Sequence, residues 1–458
     1  MAYEKFFTCL MMMSALPMMA IAQSWSGEGT EDNPYQITSD EEMQAFAASV
    51  NSGNAYDGVY FSLSEDVTTG PIAADGNIFS GVFDGNGHTV TVNIHSGYNE
   101  VGLFGHIENA TIRELKVAGN LSNLGDITDE GGFGALVGYA KNSTITDCHN
   151  SADIDCAYKR NGGICGYSEG STIQYCTNSG DVRALQDNQD RTGGICGLND
   201  GGTITHCSNS GHISGDDGIG GIVGRNEKGG TTRSCINSGV VEGDLYVGGI
   251  VGEIYSLTPL RSAQEAQIAY CYNEGGVIGN EYIAGIVGEA DGNIIEACYN
   301  VGTVRGGSDE VPAAGIAGGE NATITDCGYL KGCVSDSDEG MEATDLINTM
   351  STFFTQENGW ESSPSLGENG EIVAPVLAME SYPDEPDKPT GIEDVEQAKV
   401  YTQEGGVYVQ TTQPAEVIIV SMNGSIIKQE MQIGTKRYEL SRGIYVICID
   451  NQRYKVRI

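Results

Sequence analysis

The stretch GGICGLNDGGTITHCSNSGHISG, residues 193–215, decides the fold. It contains a short phrase: Gly, an aliphatic residue, a small apolar or aromatic residue, Gly. The phrase recurs as Gly102-Leu103-Phe104-Gly105, Ala135-Leu136-Val137-Gly138, Gly163-Ile164-Cys165-Gly166 and Gly194-Ile195-Cys196-Gly197. Four more copies follow: Gly221-Ile222-Val223-Gly224, Gly249-Ile250-Val251-Gly252, Gly285-Ile286-Val287-Gly288 and Gly315-Ile316-Ala317-Gly318. In the second copy Ala135 replaces the first Gly. Successive copies are separated by 33, 28, 31, 27, 28, 36 and 30 residues. A step of this size marks a stacked array. Each unit reads as three short strands. The first is the phrase, the second is a segment such as Thr144–Cys148 or Thr203–Cys207, and the third is a segment such as Asp181–Arg183 or His212–Ser214. Asn-Ser-Gly turns separate the last two. Stacking such units predicts an all-β chain built on a parallel β-solenoid, each coil hydrogen-bonded to the next.

Working outward, residues 101–333 form the array and 23–100 an N-terminal cap. Within that cap, Ser39 and Glu42 have capping-box spacing ahead of Met43, Phe46, Ala47 and Val50, which predicts a helix. Strands are expected at Val59–Leu63, Ile78–Phe83 and Thr89–Ile94, with a turn at Asp84-Gly85-Asn86-Gly87. The longest step carries an extra segment, Ile254–Gln267, expected to project as a loop. Residues 334–379 read as a C-terminal cap of the solenoid, with a short helix around Thr344–Met350. Pro383, Pro386 and Pro389 mark an acidic linker over 380–390. Residues 391–458 then show alternating strands at Val407–Gln410, Val417–Ser421 and Ile444–Ile449, with a hairpin turn at Asn423-Gly424. This pattern predicts a small β-sandwich domain.

The first 22 residues read as a secretory signal peptide. Lys5 precedes the apolar run Phe6–Ala20, and Ala20-Ile21-Ala22 supplies the cleavage pattern. The run is shorter than the ~20 residues of a membrane span, so no span is expected after signal removal. The chain has 458 residues and a net charge of -40. Residues 391–458 hold eight acidic and eight basic residues, so the acidic excess lies before them. Such a field disfavours nucleic acid and anionic membranes as partners.

Two columns stand out. Cys148, Cys176, Cys207, Cys235, Cys271, Cys298 and Cys327 fall at one place in seven successive units, where the first unit has Leu115. A place that accepts Leu is an apolar pocket, and a free thiol packs as a small hydrophobe. Disulfides between coils are the alternative in an exported protein, although parallel side chains suit their geometry poorly. Metal binding is a third reading, with neither a C-x-x-C pair nor a His at zinc-finger spacing behind it. Two residues after each Cys come Asn150, Asn178, Asn209, Asn237, Asn273 and Asn300. They can bond from coil to coil as an amide ladder or form a ligand-facing row. Tyr272 and Tyr299 directly follow a column Cys and are expected to stack on the outer surface, either facing a ligand or as ordinary cross-strand neighbours.

No catalytic motif appears: H-E-x-x-H, G-x-S-x-G and the phosphate loop are all missing. His149 and His206 flank column cysteines and are expected on the coil surface. No cofactor is expected, and Asp336-Ser337-Asp338 reads as a solvated turn.

The Gly-aliphatic-small-Gly phrase followed by T-I-x-x-C-x-N-x-G resembles the GLUG-motif family of bacterial surface proteins. GEGTEDNPYQITSDEEMQAF and FSGVFDGNGHTV are similar to its usual lead-in. The resemblance implies a secreted or cell-surface protein, adhesins included. The motif also accompanies some immunoglobulin A peptidases, whose zinc signature this chain lacks. The stretches VYVQTTQPAEVIIVSMNGSIIKQE and RGIYVICIDNQRYKVRI resemble type IX secretion C-terminal sorting domains of Bacteroidetes. That resemblance implies export machinery acting through the C-terminal domain and an outer-surface or secreted location in a Gram-negative bacterium. The expected function is adhesion or ligand binding without catalysis, with host or bacterial surface glycans or proteins as partners. A carbohydrate-active β-helix enzyme and a purely structural spacer are the alternatives.

Overall fold

Parallel pairing begins at Tyr35–Ile37, well before the first glycine phrase. The computed structural model describes residues 25–123, 131–157, 159–185, 191–255, 267–290, 293–307, 312–319, 322–335, 337, 339–367, 371–378, 398–403, 406–421, 426–438, 444–449 and 452–457. The expected signal peptide, the linker, the hairpin turn at Asn423-Gly424, the aspartates of the 336–338 turn and most of the Ile254–Gln267 insertion lie outside them. Two compact units divide the chain near Glu380.

The first unit is the solenoid. A representative coil runs Arg160–Gly162, Cys165–Glu169, Thr172–Gln174, Thr177–Asn178 and Val182–Ala184. These strands belong to four sheets. Sheet I contains Arg160–Gly162 and has 8 strands, and sheet II contains Cys165–Glu169 and has 7. Sheet III contains Thr172–Gln174 and has 11 strands, while sheet IV takes the last two segments and has 16. Registers are in phase from coil to coil. Ile112, Ile145, Ile173, Ile204, Thr232, Ile268, Ile295 and Ile324 form one continuous column in sheet III.

The division into three strands needs correction. The glycine phrase is a corner, not a strand. Its first two residues turn the chain from sheet I to sheet II, and only its last two enter sheet II. The glycines are there because backbones meet. A Cβ on Gly166, Gly197 or Gly224 would lie 2.2–2.5 Å from a backbone nitrogen of the preceding coil's sheet I strand. The first Gly faces the other way. A Cβ on Gly163, Gly194, Gly221 or Gly249 would lie 2.4 Å from the Cγ of Asn178, Asn209, Asn237 or Asn273. Glycine phrase and asparagine column are therefore two halves of one packing arrangement. Nothing in the structure explains why the second copy takes Ala135.

The cysteine segment is also bent. Asp147, Tyr175, His206, Ser234, Tyr270, Ala297 and Asp326 precede the column cysteines, and all have φ between 48° and 55°. This left-handed residue ends the expected second strand, Thr144–Cys148, at Thr146, and a separate short strand follows at His149–Asn150.

The N-terminal helix α1 spans Asp40–Val50 and buries Met43, Phe46, Ala47 and Val50. Ser39 Oγ accepts from the Glu42 N–H at 3.3 Å, and the Glu42 carboxylate accepts from the Thr38 N–H at 2.7 Å. Phe46 packs on Phe61 with ring centroids 4.5 Å apart. The helix thus lids an aromatic first layer. Since residues 35–95 already pair in parallel with the array, the expected cap is the first turns of the solenoid plus this lid.

At the other end, Ala343–Phe353 forms α2. The chain beyond α2 does more than close the last coil. The Ser234 hydroxyl donates to the Asn358 carbonyl at 2.7 Å, and a Cβ on Gly359 would lie 2.2 Å from His206 Nε2. The described residues of 341–378 therefore run back along several coils as a strap.

The second unit is antiparallel. Strands Ala398–Gln403, Gly406–Ser421, Ile426–Tyr438, Ile444–Ile449 and Gln452–Arg457 form one five-stranded sheet. Two separate sheets were expected of a sandwich. They are joined here because Gly406–Ser421 continues through both halves, with a register shift between Thr411 and Ala415.

Candidate functional site

Tyr272 and Tyr299 do not face solvent. Both have 0% exposure and lie beneath the strap with Leu346, Met350, Phe354 and Trp360. Phe354 meets the Tyr299 ring at 5.4 Å and the Trp360 ring at 4.4 Å. Their expected role as outer, ligand-facing rings is corrected by this cover. The missed clue was the rest of their row. Lys116, His149, Thr177 and Ser208 occupy the uncovered coils, and Ile236, Tyr272 and Tyr299 the covered ones.

The six asparagines sit inside the solenoid. Asn150 Nδ2 donates to Asn178 Oδ1 at 2.7 Å. Asn178 to Asn209, Asn209 to Asn237 and Asn237 to Asn273 each measure 2.8 Å, and Asn273 to Asn300 is 2.7 Å. Each Nδ2 also donates to the carbonyl two residues on, at 2.8–3.0 Å. Cys148, Cys176, Cys207, Cys235, Cys271, Cys298 and Cys327 are free thiols, all but Cys327 buried. Each donates to the carbonyl two residues before it, at 3.1–3.3 Å. Burial pushes the Cys148, Cys176 and Cys207 thiols well above their usual range. A protonated, buried thiol is a poor nucleophile and a poor ligand. Among the described residues, no group of three or more His, Cys, Asp or Glu is placed to hold a metal ion.

The candidate site lies on the outer side of sheet II. One row of sheet II lies opposite the buried Ile107, Ala140, Ser168, Asn199, Asn226 and Ile254: His106, Tyr139, Tyr167, Leu198, Arg225 and Glu253, of which Leu198 and Arg225 are themselves largely covered. The inner position just after the corner repeats Val or Cys from Val137 to Val251, while this row passes from His to Tyr, Tyr, Leu, Arg and Glu. Tyr139 and Tyr167 stack at 4.8 Å with 18° between their planes. The Tyr139 hydroxyl donates to Glu169 at 2.5 Å, and the Tyr167 hydroxyl to Asp200 at 3.2 Å. Burial and these carboxylates push both phenols up. Arg160 lies 4.7 Å from the Tyr167 ring centroid.

Further along, Arg225 is only 8% exposed. Its Nε lies 3.2 Å from Glu227 and 3.1 Å from Glu253, and its guanidinium lies 4.0 Å from the Tyr255 ring centre. The surface thus offers arginines, ring edges with committed hydroxyls, and carboxylates in adjacent rows. It can hold a polar ligand by hydrogen bonds and charge. A separate cleft of about 640 Å³ is lined by Glu281, Tyr282, Glu289 and Ala313 near the last coils.

The fold defines the class: a repeat protein built as a parallel β-solenoid. Comparison with known proteins adds detail. Residues 189–214 match the family described as "The GLUG motif". Halomucin of Haloquadratum walsbyi is 31% identical over 170 residues, which is 28% of this chain and 2% of that protein. A "Putative Gly-rich membrane protein" of Evansella cellulosilytica is 35% identical over 129 residues, 24% of this chain and 13% of its own length. The chain therefore spans only a small part of either relative. A crystal structure described as a "putative immunoglobulin A1 protease" from Bacteroides ovatus is 18% identical, with a TM-score of 0.43, over 77% of this chain and 95% of that one.

Proposed function

We propose that this protein is a secreted or cell-surface β-solenoid that acts by binding ligands along its outer face, in adhesion rather than catalysis. The observation that carries this reading is the contrast between rows. The inner position just after the corner stays Val or Cys from Val137 to Val251, whereas the outer row passes through Tyr139, Tyr167, Leu198, Arg225 and Glu253, one coil about every 4.8 Å. A stacked repeat array whose outer row varies along its length is built to present an extended surface. The names of the two relatives, "Halomucin" and "Putative Gly-rich membrane protein", favour a location at the cell surface. The C-terminal unit serves as the export signal in this reading, so deleting residues 391–458 is expected to retain the protein inside the cell.

The direct test is a glycan array probed with the full mature chain, beside a polysaccharide-degradation screen. Binding without turnover is the expected result. Turnover would replace the reading with that of a carbohydrate-active enzyme, and no binding would favour a structural spacer.

A further inference from the structure

We propose that Arg191, between Arg160 and Arg225, anchors a site for the carboxylate or sulfate group of an acidic saccharide. This inference rests on the ligand-binding reading above and names the chemistry of the ligand.

The argument starts from register. Arg160 and Arg191 are direct neighbours on adjacent strands of sheet I. Glycine then brings sheet II against them. A Cβ on Gly224 would lie 2.6 Å from the Arg191 carbonyl carbon, and one on Gly197 would lie 2.7 Å from that of Arg160. Arg225 and Leu198, the next residues, are thereby set beside the two arginines. Three guanidinium groups therefore share one stretch of the sheet I–sheet II junction in a chain of net charge -40.

Their charges are not balanced alike. Arg225 is held by Glu227 and Glu253. Arg160 reaches the Gly131 carbonyl at 3.5 Å and the Tyr167 ring. Arg191 makes no ion pair or side-chain hydrogen bond with a described residue, and its Nε is buried without a partner. Burial and the nearby Arg225 charge both work against its protonated form, while Glu227 and Glu253 partly support it. An unpaired, partly buried cation beside two like charges is costly unless an anion joins it. A guanidinium also presents paired N–H donors that match a carboxylate or sulfate.

The surroundings narrow the ligand. Glu169, Asp200 and Glu227 run along the adjacent row and repel a densely charged polyanion. Asp200 is buried and held by Lys228, so the half-buried Glu169 and Glu227 are the carboxylates of this row open to hydrogen bonds from sugar hydroxyls. A ligand with sparse anionic groups and many hydroxyls satisfies both rows. The exposed Tyr255 adds contact area beside the arginines.

The test uses calorimetric titration of the full mature chain with a hexuronic-acid tetrasaccharide and with the neutral hexose tetrasaccharide of the same linkage. The acidic oligomer is expected to bind at least ~10-fold more tightly, and Arg191→Gln to lose that preference. In the unliganded protein, Arg191→Gln is expected to melt at the same temperature or higher, since it removes a repelled charge. Arg191→Lys should retain part of the preference. Equal binding of the two oligomers, unaltered preference in Arg191→Gln, or a lower melting temperature in that variant would each overturn the inference. Array binding of neutral glycans would then leave the ligand-binding reading intact, whereas a blank array or turnover removes that reading itself.

Discussion

Replacing Asn237 by Ala tests the central physical claim about the solenoid, that its interior is held by a continuous amide ladder. Asn237 is fully buried. Its Nδ2 donates to the Gly239 carbonyl at 2.9 Å and to Asn273 Oδ1 at 2.8 Å, and its Oδ1 accepts from Asn209 Nδ2 at 2.8 Å. Truncation removes all three bonds. It strands one carbonyl, one amide oxygen and one amide N–H in the core. Asn209 keeps its bond to the Gly211 carbonyl at 3.0 Å, so its loss is partial. A buried group left without a partner costs about 1–3 kcal/mol. A water in the vacated space recovers some of that, so the net expectation is a loss of about 2–4 kcal/mol. Asn237→Asp should cost at least as much. A carboxylate cannot donate to Gly239 or Asn273, and it is buried.

The assay is urea unfolding of the full chain followed by circular dichroism, with hydrogen exchange on the backbone of the flanking coils. Exchange matters because a repeat array can open locally. Faster exchange should be centred on the coils of Asn209 and Asn273. An unchanged urea midpoint with unchanged exchange in both variants would refute the ladder as a source of stability.

Trp360→Ala should detach the strap, losing about 3–5 kcal/mol of strap packing; limited proteolysis is expected to cut within 341–378 while the coils stay protected, and cleavage no faster than wild type would refute the account. The solenoid cysteines from Cys148 to Cys333 are free, so a thiol reagent should react slowly with them in native protein and fully with denatured, unreduced protein; a denatured count near zero would show inter-coil disulfides instead. His149 has its pKa held below 6.5 by burial and by the Lys116 charge. A depressed histidine pKa favours the neutral form in the fold, so its contribution is present above pH 6.5 and lost as pH falls through the lower folded value. His149→Gln should flatten that part of the stability–pH curve, and an identical curve would exclude His149 as its source.

Part of this architecture is written plainly in the chain because inner positions repeat. The coil step, the Cys column and the Asn column can be read by aligning the chain with itself, since each inner site meets the same neighbours one coil away. The corners are harder. Tyr175, His206, Ser234 and Ala297 adopt a left-handed backbone without a glycine to announce it. Their conformation is imposed by pairing with the adjacent coils, as when the Tyr175 N–H donates to the Thr205 carbonyl. The glycine phrase was visible, but its reason was not. Gly224 is required by the backbone at Thr192, a contact between segments one coil apart. Tyr272 and Tyr299 were misplaced for the same kind of reason. The strap that covers them arrives from beyond the array, and only the change from His149 and Thr177 to Ile236 and Tyr272 along one row betrays it. The arginine site extends this logic one step further. Arg160, Arg191 and Arg225 are not one column in the sequence. Two share a sheet I register, and the third belongs to sheet II. The glycines bring the third beside the others, so the same residues that set the coil's packing also bring the three arginines together.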